Sequence, residues 1–282
     1  MRVLVTGGAS GLGAALAAAF LDRGDEVLIG DLNEPEVQGG RAASEASGQT
    51  RPRPQPHFLK LDVRYDDDWA AALAWVTEHW GGLDVLVNNA GVGGGGRVDV
   101  AGLDEWQWIT EINLFGVVRG TRTFVPMFKQ QRSGQIVNVA SLAGLVHPAG
   151  MGSYNATKAA VVAFSETCAH ELAEYDVRCS VVCPSYFRTN LVANSEALAP
   201  GVGDTAVTAI NASLVAEAPL GPDEIAAAVL EGLDRGEELI LPDDAARGAY
   251  QLKVDDRAAY NHVMRKQAAR LNAMGSDPAT ER

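Results

Sequence analysis

R-V-L-V-T-G-G-A-S-G-L-G, Arg2 to Gly13, is the stretch that decides the fold. It opens on a short β-branched run and passes through a glycine-rich turn. It then enters A-A-L-A-A-A-F-L-D-R-G, which reads as a helix stopped by Gly24. Strand, glycine turn and helix together are the setting a nucleotide-binding turn requires. Glycines let the backbone turn tightly and come close to a pyrophosphate. The helix N-terminus offers that anion free N–H groups and a partial positive charge. Ser10 adds a hydroxyl donor. With no ligand, the same letters describe a tight turn and nothing more.

A second strand, Glu26 to Gly30, ends at Asp31, 24 residues after Gly7. That is close to the ~20-residue interval at which an acid meets the adenosine ribose in dinucleotide folds. A carboxylate there accepts two hydroxyl hydrogen bonds and repels a 2′-phosphate. Leu32 and Asn33 follow, with no arginine, so the sequence predicts NAD over NADP. The plainer alternative is that Asp31 caps its own turn.

Further apolar runs predict strands at Phe58–Leu61, Leu83–Val87, Gln135–Ala140, Val177–Cys183 and Leu239–Leu241. Helical spacing falls between them, at Trp69–Trp80, Asp104–Arg132, Ser153–Tyr175 and after Gly221-Pro222-Asp223. The alternation argues for one α/β domain over residues 1–242, a doubly wound three-layer sandwich with a central parallel sheet of about seven strands. Gln38 to Gln55 reads as a weak helix and a surface loop, and the glycine run Val92 to Arg97 as a mobile segment without chemistry. Residues 186–218 have the small, apolar, glycine-interrupted character of a substrate lid. The extension 243–282 reads as helical over Arg247–Met274, with Tyr250, Val254, Tyr260 and Val263 loosely on one side. It covers a pocket, meets a neighbouring subunit or stands free.

The chemistry-bearing stretch is S-L-A-G-L-V-H-P-A-G-M-G-S-Y-N-A-T-K, Ser141 to Lys158. Ser141 follows a buried-strand pattern, so it stands at a strand's C-terminal end, where open α/β sheets bind ligands. Tyr154 and Lys158 are four apart and share a helix face. A phenol beside an ammonium loses its proton more readily than its free pKa of about 10 suggests. That suits acid–base work near neutral pH. Taken alone, Tyr-x-x-x-Lys is equally a surface pair. Asn113, in mid-helix, costs helix propensity; it is either exposed, or it bends the helix and holds a water. Asp62 either meets an adenine amino group or belongs with the helix-capping cluster Asp66 to Asp68.

The 282 residues are 47% hydrophobic and 21% charged, enough for a sizeable core. A net charge of −13 argues against nucleic acid or an anionic membrane as partner. Cys168, Cys179 and Cys183 have no metal-ligand spacing, and no metal is expected. Cys179 and Cys183 would lie about 13 Å apart on one strand, too far for a disulfide. Reduced thiols, no signal peptide before Arg2 and no run long enough to span a bilayer predict a cytoplasmic protein.

Taken together, these motifs resemble the short-chain dehydrogenase/reductase family over roughly Arg2 to Pro242. The resemblance is carried by Thr6 to Gly13, Asp62, N-N-A-G at Asn88 to Gly91, Asn113, Ser141 and Y-N-A-T-K at Tyr154 to Lys158, with Ser141 and Tyr154 13 residues apart. It implies a Rossmann-like fold and reversible oxidation of a secondary alcohol to a ketone with NAD(H). Tyr154 would be the acid/base, Lys158 would lower its pKa and bond the nicotinamide ribose, Ser141 would hold the substrate oxygen, and Asn113 would keep a relay water. The implied cofactor set is Gly7, Ser10, Gly11, Leu12, Gly13, Asp31, Leu32, Asp62, Val63, Asn89, Ala90, Gly91, Tyr154, Lys158, Pro184, Phe187 and Thr189. His147, Met151 and Tyr186 join Ser141 and Tyr154 as expected substrate contacts. One residue departs: the family usually has glycine after that proline, and here it is Ser185. Self-assembly through the two long helices, as a tetramer or a dimer, is also implied. The rival readings are an NADPH-dependent 3-oxoacyl-type carbonyl reductase, which Asp31 speaks against, and a non-catalytic dinucleotide-binding scaffold.

Overall fold

A computed structural model describes residues 1–35, 54–199 and 203–275. Most of the expected weak helix and loop at Gln38 to Gln55 falls outside the described residues. Seven strands form one sheet: β1 Arg2–Thr6, β2 Glu26–Asp31, β3 His57–Lys60, β4 Val85–Asn88, β5 Gly134–Val139, β6 Val177–Val182 and β7 Leu239–Ile240. All neighbours run parallel, in the order β3-β2-β1-β4-β5-β6-β7. The winding reverses between β1 and β4, and that switch point opens the crevice in which such sheets bind ligands.

Strands buried on both faces must be apolar at every position, and the side-chain period of two then sends alternate residues to opposite layers. Val3 and Val5 of β1, Val27 and Ile29 of β2, Val85 and Val87 of β4, and Val137 and Val139 of β5 share one core cluster. They pack under α1 (Gly11–Asp22) and α9 (Pro222–Arg235). Leu4, Leu28, Leu86 and Ile136 fill the other face. Here they meet α2 (Asp66–Trp80), α4 (Gly116–Gln131) and α6 (Gly152–Leu172), with Trp69, Phe124 and Phe128 at the centre.

The helix expected at Asp104–Arg132 is three pieces: α3 Leu103–Thr110, a π-helical turn Glu111–Phe115, and α4. The helix α6 ends in a 3₁₀ turn, Ala173–Tyr175. A four-residue helix, α5 Ala143–Val146, follows Ser141. The lid region carries α7 Leu191–Leu198 and α8 Thr205–Ala216, and the extension carries α10 Asp244–Asp255 and α11 Arg257–Gly275. The expected apolar side of the extension is corrected by the break at Asp256, which resets the helix phase. Tyr260 and Leu271 are buried, whereas Val254 and Val263 are exposed. Among the described residues no helix is long and apolar enough to cross a membrane.

Gly120 shows how tightly α4 seats on β4: a Cβ there would lie 2.4 Å from Asn88 Oδ1 and 2.5 Å from the Trp69 ring. Gly120→Ala is therefore expected to cost about 1–3 kcal/mol by overpacking. Calorimetry would show a melting point lowered by several degrees; an unchanged value would mean that α4 does not press on β4 here.

Candidate active site

The glycine turn is built for close approach. Gly7 and Gly11 have φ of +64° and +53°, which suits glycine. A Cβ on Gly13 would sit 2.1 Å from the Gly7 carbonyl oxygen and 2.4 Å from Asn89 Nδ2. Asn89 donates from Nδ2 to the carbonyls of Thr6 (2.9 Å) and Gly7 (3.2 Å), bolting the turn to the end of β4. Thr6 opens the motif, but the sequence assigned its side chain no task. Its hydroxyl accepts the backbone N–H groups of Asn89 and Ala90, at 3.0 and 3.1 Å. Ser10 precedes α1 and caps it with no side-chain hydrogen bond. Leu12 is buried in the core, so only its backbone faces the turn's open side.

Asp31 caps its own turn, the plainer of the two alternatives, and also reaches the glycine turn. Its carboxylate accepts from Asn33 N–H (3.1 Å), an Asx turn, and from Ala9 N–H (3.0 Å), which ties β2 to the glycine turn. A carboxylate has about four acceptor sites, so two remain. Leu32 beside it is half-buried. Asp62 is more committed. Arg64 donates to it from Nη2 (2.6 Å), Nε and the backbone N–H. Burial pushes the Asp62 carboxyl up, but the Arg64 bonds outweigh it and the net shift is downward. The capping expectation for Asp66 to Asp68 is corrected: Tyr65 is the N-cap of α2 and no side chain caps it, the three acids lie in the helix's first turn, and Asp68 instead accepts the Asp62 N–H at 2.7 Å. Val63 is buried against Gly116.

Asn113 is fully buried within the π turn. Its Oδ1 accepts from Val92 N–H at 2.8 Å and its Nδ2 donates to Val92 O at 2.9 Å. The exposed alternative is therefore ruled out, and the side chain clamps the segment after β4. Gly91 lies between: a Cβ on it would be 3.1 Å from Asn113 Oδ1 and 3.5 Å from Lys158 Nζ. The glycine run beyond is not an idle loop. Gly93 N–H donates to Ser195 Oγ of α7 (2.7 Å), and Arg97 pairs with Asp204, the N-cap of α8, at 2.6 Å.

Tyr154 and Lys158 are both buried on α6, with the amine 5.7 Å from the ring centroid. Lys158 Nζ donates to the Val139 carbonyl at 2.9 Å. Ser141 Oγ accepts from Ala143 N–H (3.1 Å), which starts α5, and its side chain hydrogen-bonds the Tyr154 phenol. Burial acts against the expectation of a primed phenol. It pushes Tyr154 up to about 12, opposed by the Ser141 hydrogen bond. It also pulls the Lys158 amine down to about 8. A charged ammonium about 6 Å from the phenolate would be worth about 3 kcal/mol at an effective dielectric of ~20. That is comparable with what a two-unit rise costs.

The remaining expected contacts divide. Met151 is buried in the same apolar cluster as Tyr154. Tyr186 turns its hydroxyl to Met151 Sδ (3.7 Å) and to Asn211 Oδ1 of α8 (3.1 Å). His147 stands apart: its Nδ1 faces Lys253 Nζ at 3.3 Å, and burial, Lys253 and Arg257 hold its pKa down. Pro184 O accepts from Leu142 N–H at 2.9 Å, Phe187 packs on the α1/α9 core, and Thr189 Oγ1 would lie 3.0 Å from a Cβ on Gly11. Thr189 therefore sits by the glycine turn. Asn194, which the sequence did not single out, reaches Ser10 Oγ at 3.3 Å.

Residues 1–199 match the family model for short chain dehydrogenases. The chain is 37% identical over 191 residues to a 2,5-dichloro-2,5-cyclohexadiene-1,4-diol dehydrogenase of Sphingobium indicum, covering 68% of this chain and 74% of that protein. It is also 37% identical over 187 residues to cyclopentanol dehydrogenase of Comamonas testosteroni, covering 66% and 73%. A short-chain dehydrogenase/reductase of Burkholderia phymatum solved with NAD superposes with TM-score 0.80 and 29% identity, over 90% of this chain and 93% of that one. One from Burkholderia cenocepacia solved with NADP gives 0.71 and 26%, over 93% and 96%. The chain belongs to the short-chain dehydrogenase/reductase family. It is an oxidoreductase of a family that binds nicotinamide dinucleotides. The residues present fit such a group: a strand–turn–helix cradle with no room for side chains at Gly7 and Gly13, and an acid with spare acceptors at the end of β2.

The buried amine makes a pH signature. The unfolded chain binds a proton at Lys158 up to about pH 10.5, the folded one only up to about 8, so this group's penalty on folding fades as pH rises between them. Lys158→Met should therefore stabilise the fold more at pH 7 than at pH 10, by about 2–3 kcal/mol. Urea unfolding at both pH values measures this, and equal effects at both would mean the amine is not desolvated.

Proposed function

We propose that this protein interconverts a secondary alcohol and a ketone with NAD(H), using Tyr154 as the acid/base. The observation that carries the reading is the meeting of Ser141, Tyr154, Lys158, Gly91 and Asn113 at the C-terminal ends of β4 and β5. Gly7, Ser10, Gly11 and the first turn of α1 would hold the pyrophosphate. Asp31 would take the ribose hydroxyls, and Asn89 to Gly91 with Thr189 would line the bound dinucleotide. When bound, the nicotinamide supplies hydride transfer; the protein supplies alignment and proton handling.

In alcohol oxidation the substrate hydroxyl lies between Ser141 and Tyr154, and Ser141 orients it. Tyr154 takes the hydroxyl proton, and the Lys158 ammonium stabilises the phenolate form that can do so. In ketone reduction Tyr154 returns the proton. Burial keeps water out of this exchange and strengthens the Tyr154–Lys158 coupling. Asn113 holds the Val92 backbone and so the floor beneath Lys158. Met151, Val207 and Ile210 are apolar and share the cluster that contains Tyr154. Together with the alicyclic alcohols named for the relatives, this favours a compact, apolar, cyclic secondary alcohol.

Asp31 supports NAD over NADP, because a 2′-phosphate would stand against its carboxylate. A panel of cyclic secondary alcohols, read at the NADH absorbance with NAD and NADP side by side, tests the reading. Tyr154→Phe should lower kcat by about 10²–10⁴-fold, the usual worth of a positioned acid/base, and leave NADH affinity within about threefold. Near-parental turnover in that variant would remove Tyr154 from the role.

A further inference from the structure

Ser185 replaces the glycine that usually follows Pro184 in the resemblance, and its surroundings give it a task. Its N–H donates to Asp243 Oδ2 at 2.9 Å and its hydroxyl to Asp243 Oδ1 at 2.6 Å. Asp243 is buried and also caps α10, accepting the Ala246 N–H at 2.8 Å. The carbonyl at the other end of the same peptide unit, Pro184 O, accepts the Leu142 N–H next to Ser141. Both polar atoms of the Pro184–Ser185 peptide are thus fixed, one by the Ser141 segment and one by the C-terminal extension.

The extension grips the same wall of the site twice more. From α10, Lys253 Nζ donates to Leu145 O and faces His147. From α11, Tyr260 OH donates to Val146 O. Leu271 fills the space left by Gly150: a Cβ there would meet Leu271 at 2.6 Å and Val207 of α8 at 3.0 Å. The helices pair accordingly, α10 against α5 and α11 against α8.

We propose that Asp243 is a positioning residue of the active site, locking the Pro184–Ser185 peptide and through it Ser141, with the extension α10–α11 as an intramolecular brace. The inference rests on the functional reading above. A peptide free to rotate about its flanking bonds would let Leu142 and Ser141 drift from the phenol, and small misplacements of aligned groups are costly in rate. Serine improves on glycine here because its hydroxyl adds a second, charge-assisted bond to the same carboxylate.

The test uses full-length variants. Asp243→Asn keeps an oxygen for Ala246 N–H and the Ser185 hydroxyl but loses the acceptor for Ser185 N–H. It should lower kcat by about tenfold and raise the NADH dissociation constant severalfold, the scale of one hydrogen bond to a charged group. Ser185→Ala should lose about threefold in kcat, and Ser185→Thr, which restores the hydroxyl, should return to within about twofold. Asp243→Asn with a lowered melting point but kcat and NADH affinity within about twofold of parent would overturn the proposal and leave Asp243 as a helix cap alone. Failure of threonine to rescue alanine would also overturn it. That pair leaves the cap untouched, so it decides the matter even where Asp243→Asn does not fold. A parent protein that neither binds NADH nor oxidises any alcohol defeats the functional reading instead. Amide exchange over residues 141–147 in Asp243→Asn would then read the brace: faster exchange supports it, unchanged exchange overturns it.

Discussion

Two groups that need water when charged, the Tyr154 phenol and the Lys158 amine, are buried one helical turn apart on the same face of α6. The rest of the site follows from that constraint. Burial alone favours the uncharged form of each, so their surroundings must supply what water does not. For the amine this is the Val139 carbonyl at the end of β5; for the phenol it is the Ser141 hydroxyl just beyond. The sheet brings those two groups there because β5 stops at the switch side of the crevice, where the chain must leave the plane. Gly91 allows the close approach from β4, and the π turn at Asn113 holds the neighbouring backbone.

The fold was largely legible in the sequence because two-sided burial leaves a simple mark. Continuous β-branched runs such as R-V-L-V-T and E-V-L-I-G have few other uses, and glycine turns mark their ends. The glycine turn was legible for the same reason: only glycine fits at position 13, where a Cβ would strike Gly7 O. What could not be read were partners distant in sequence. Nothing local says that Thr6 underpins Asn89, or that Ser185 meets Asp243 58 residues on. The extension's apolar stripe was misjudged because the break at Asp256 is a tertiary choice. The direction of the Tyr154 shift was misjudged because helical spacing reports proximity to a lysine and says nothing about depth.

The family supplies the frame and this chain's own residues its particulars. The family match ends at residue 199, before α8 and all of the extension. The extension nevertheless touches the segments beside Ser141, the turn at Pro184 and the helix α8. The glycine run after β4, which carries no side chains for chemistry, serves as the seat on which α7 and α8 rest through Ser195 and the Arg97–Asp204 pair. The neighbourhood of Ser141, the helices α7 and α8 and the extension are therefore joined by hydrogen bonds and packing.

The desolvated phenol is the claim on which the account stands, and it has its own spectroscopic reading. An ultraviolet difference titration of the cofactor-free protein, parent minus Tyr154→Phe, isolates the ionisation of this one tyrosine. The account predicts a phenolate band that rises only near pH 12. A transition at the ordinary tyrosine value of about 10 or below would contradict it, since the ring would then be hydrated.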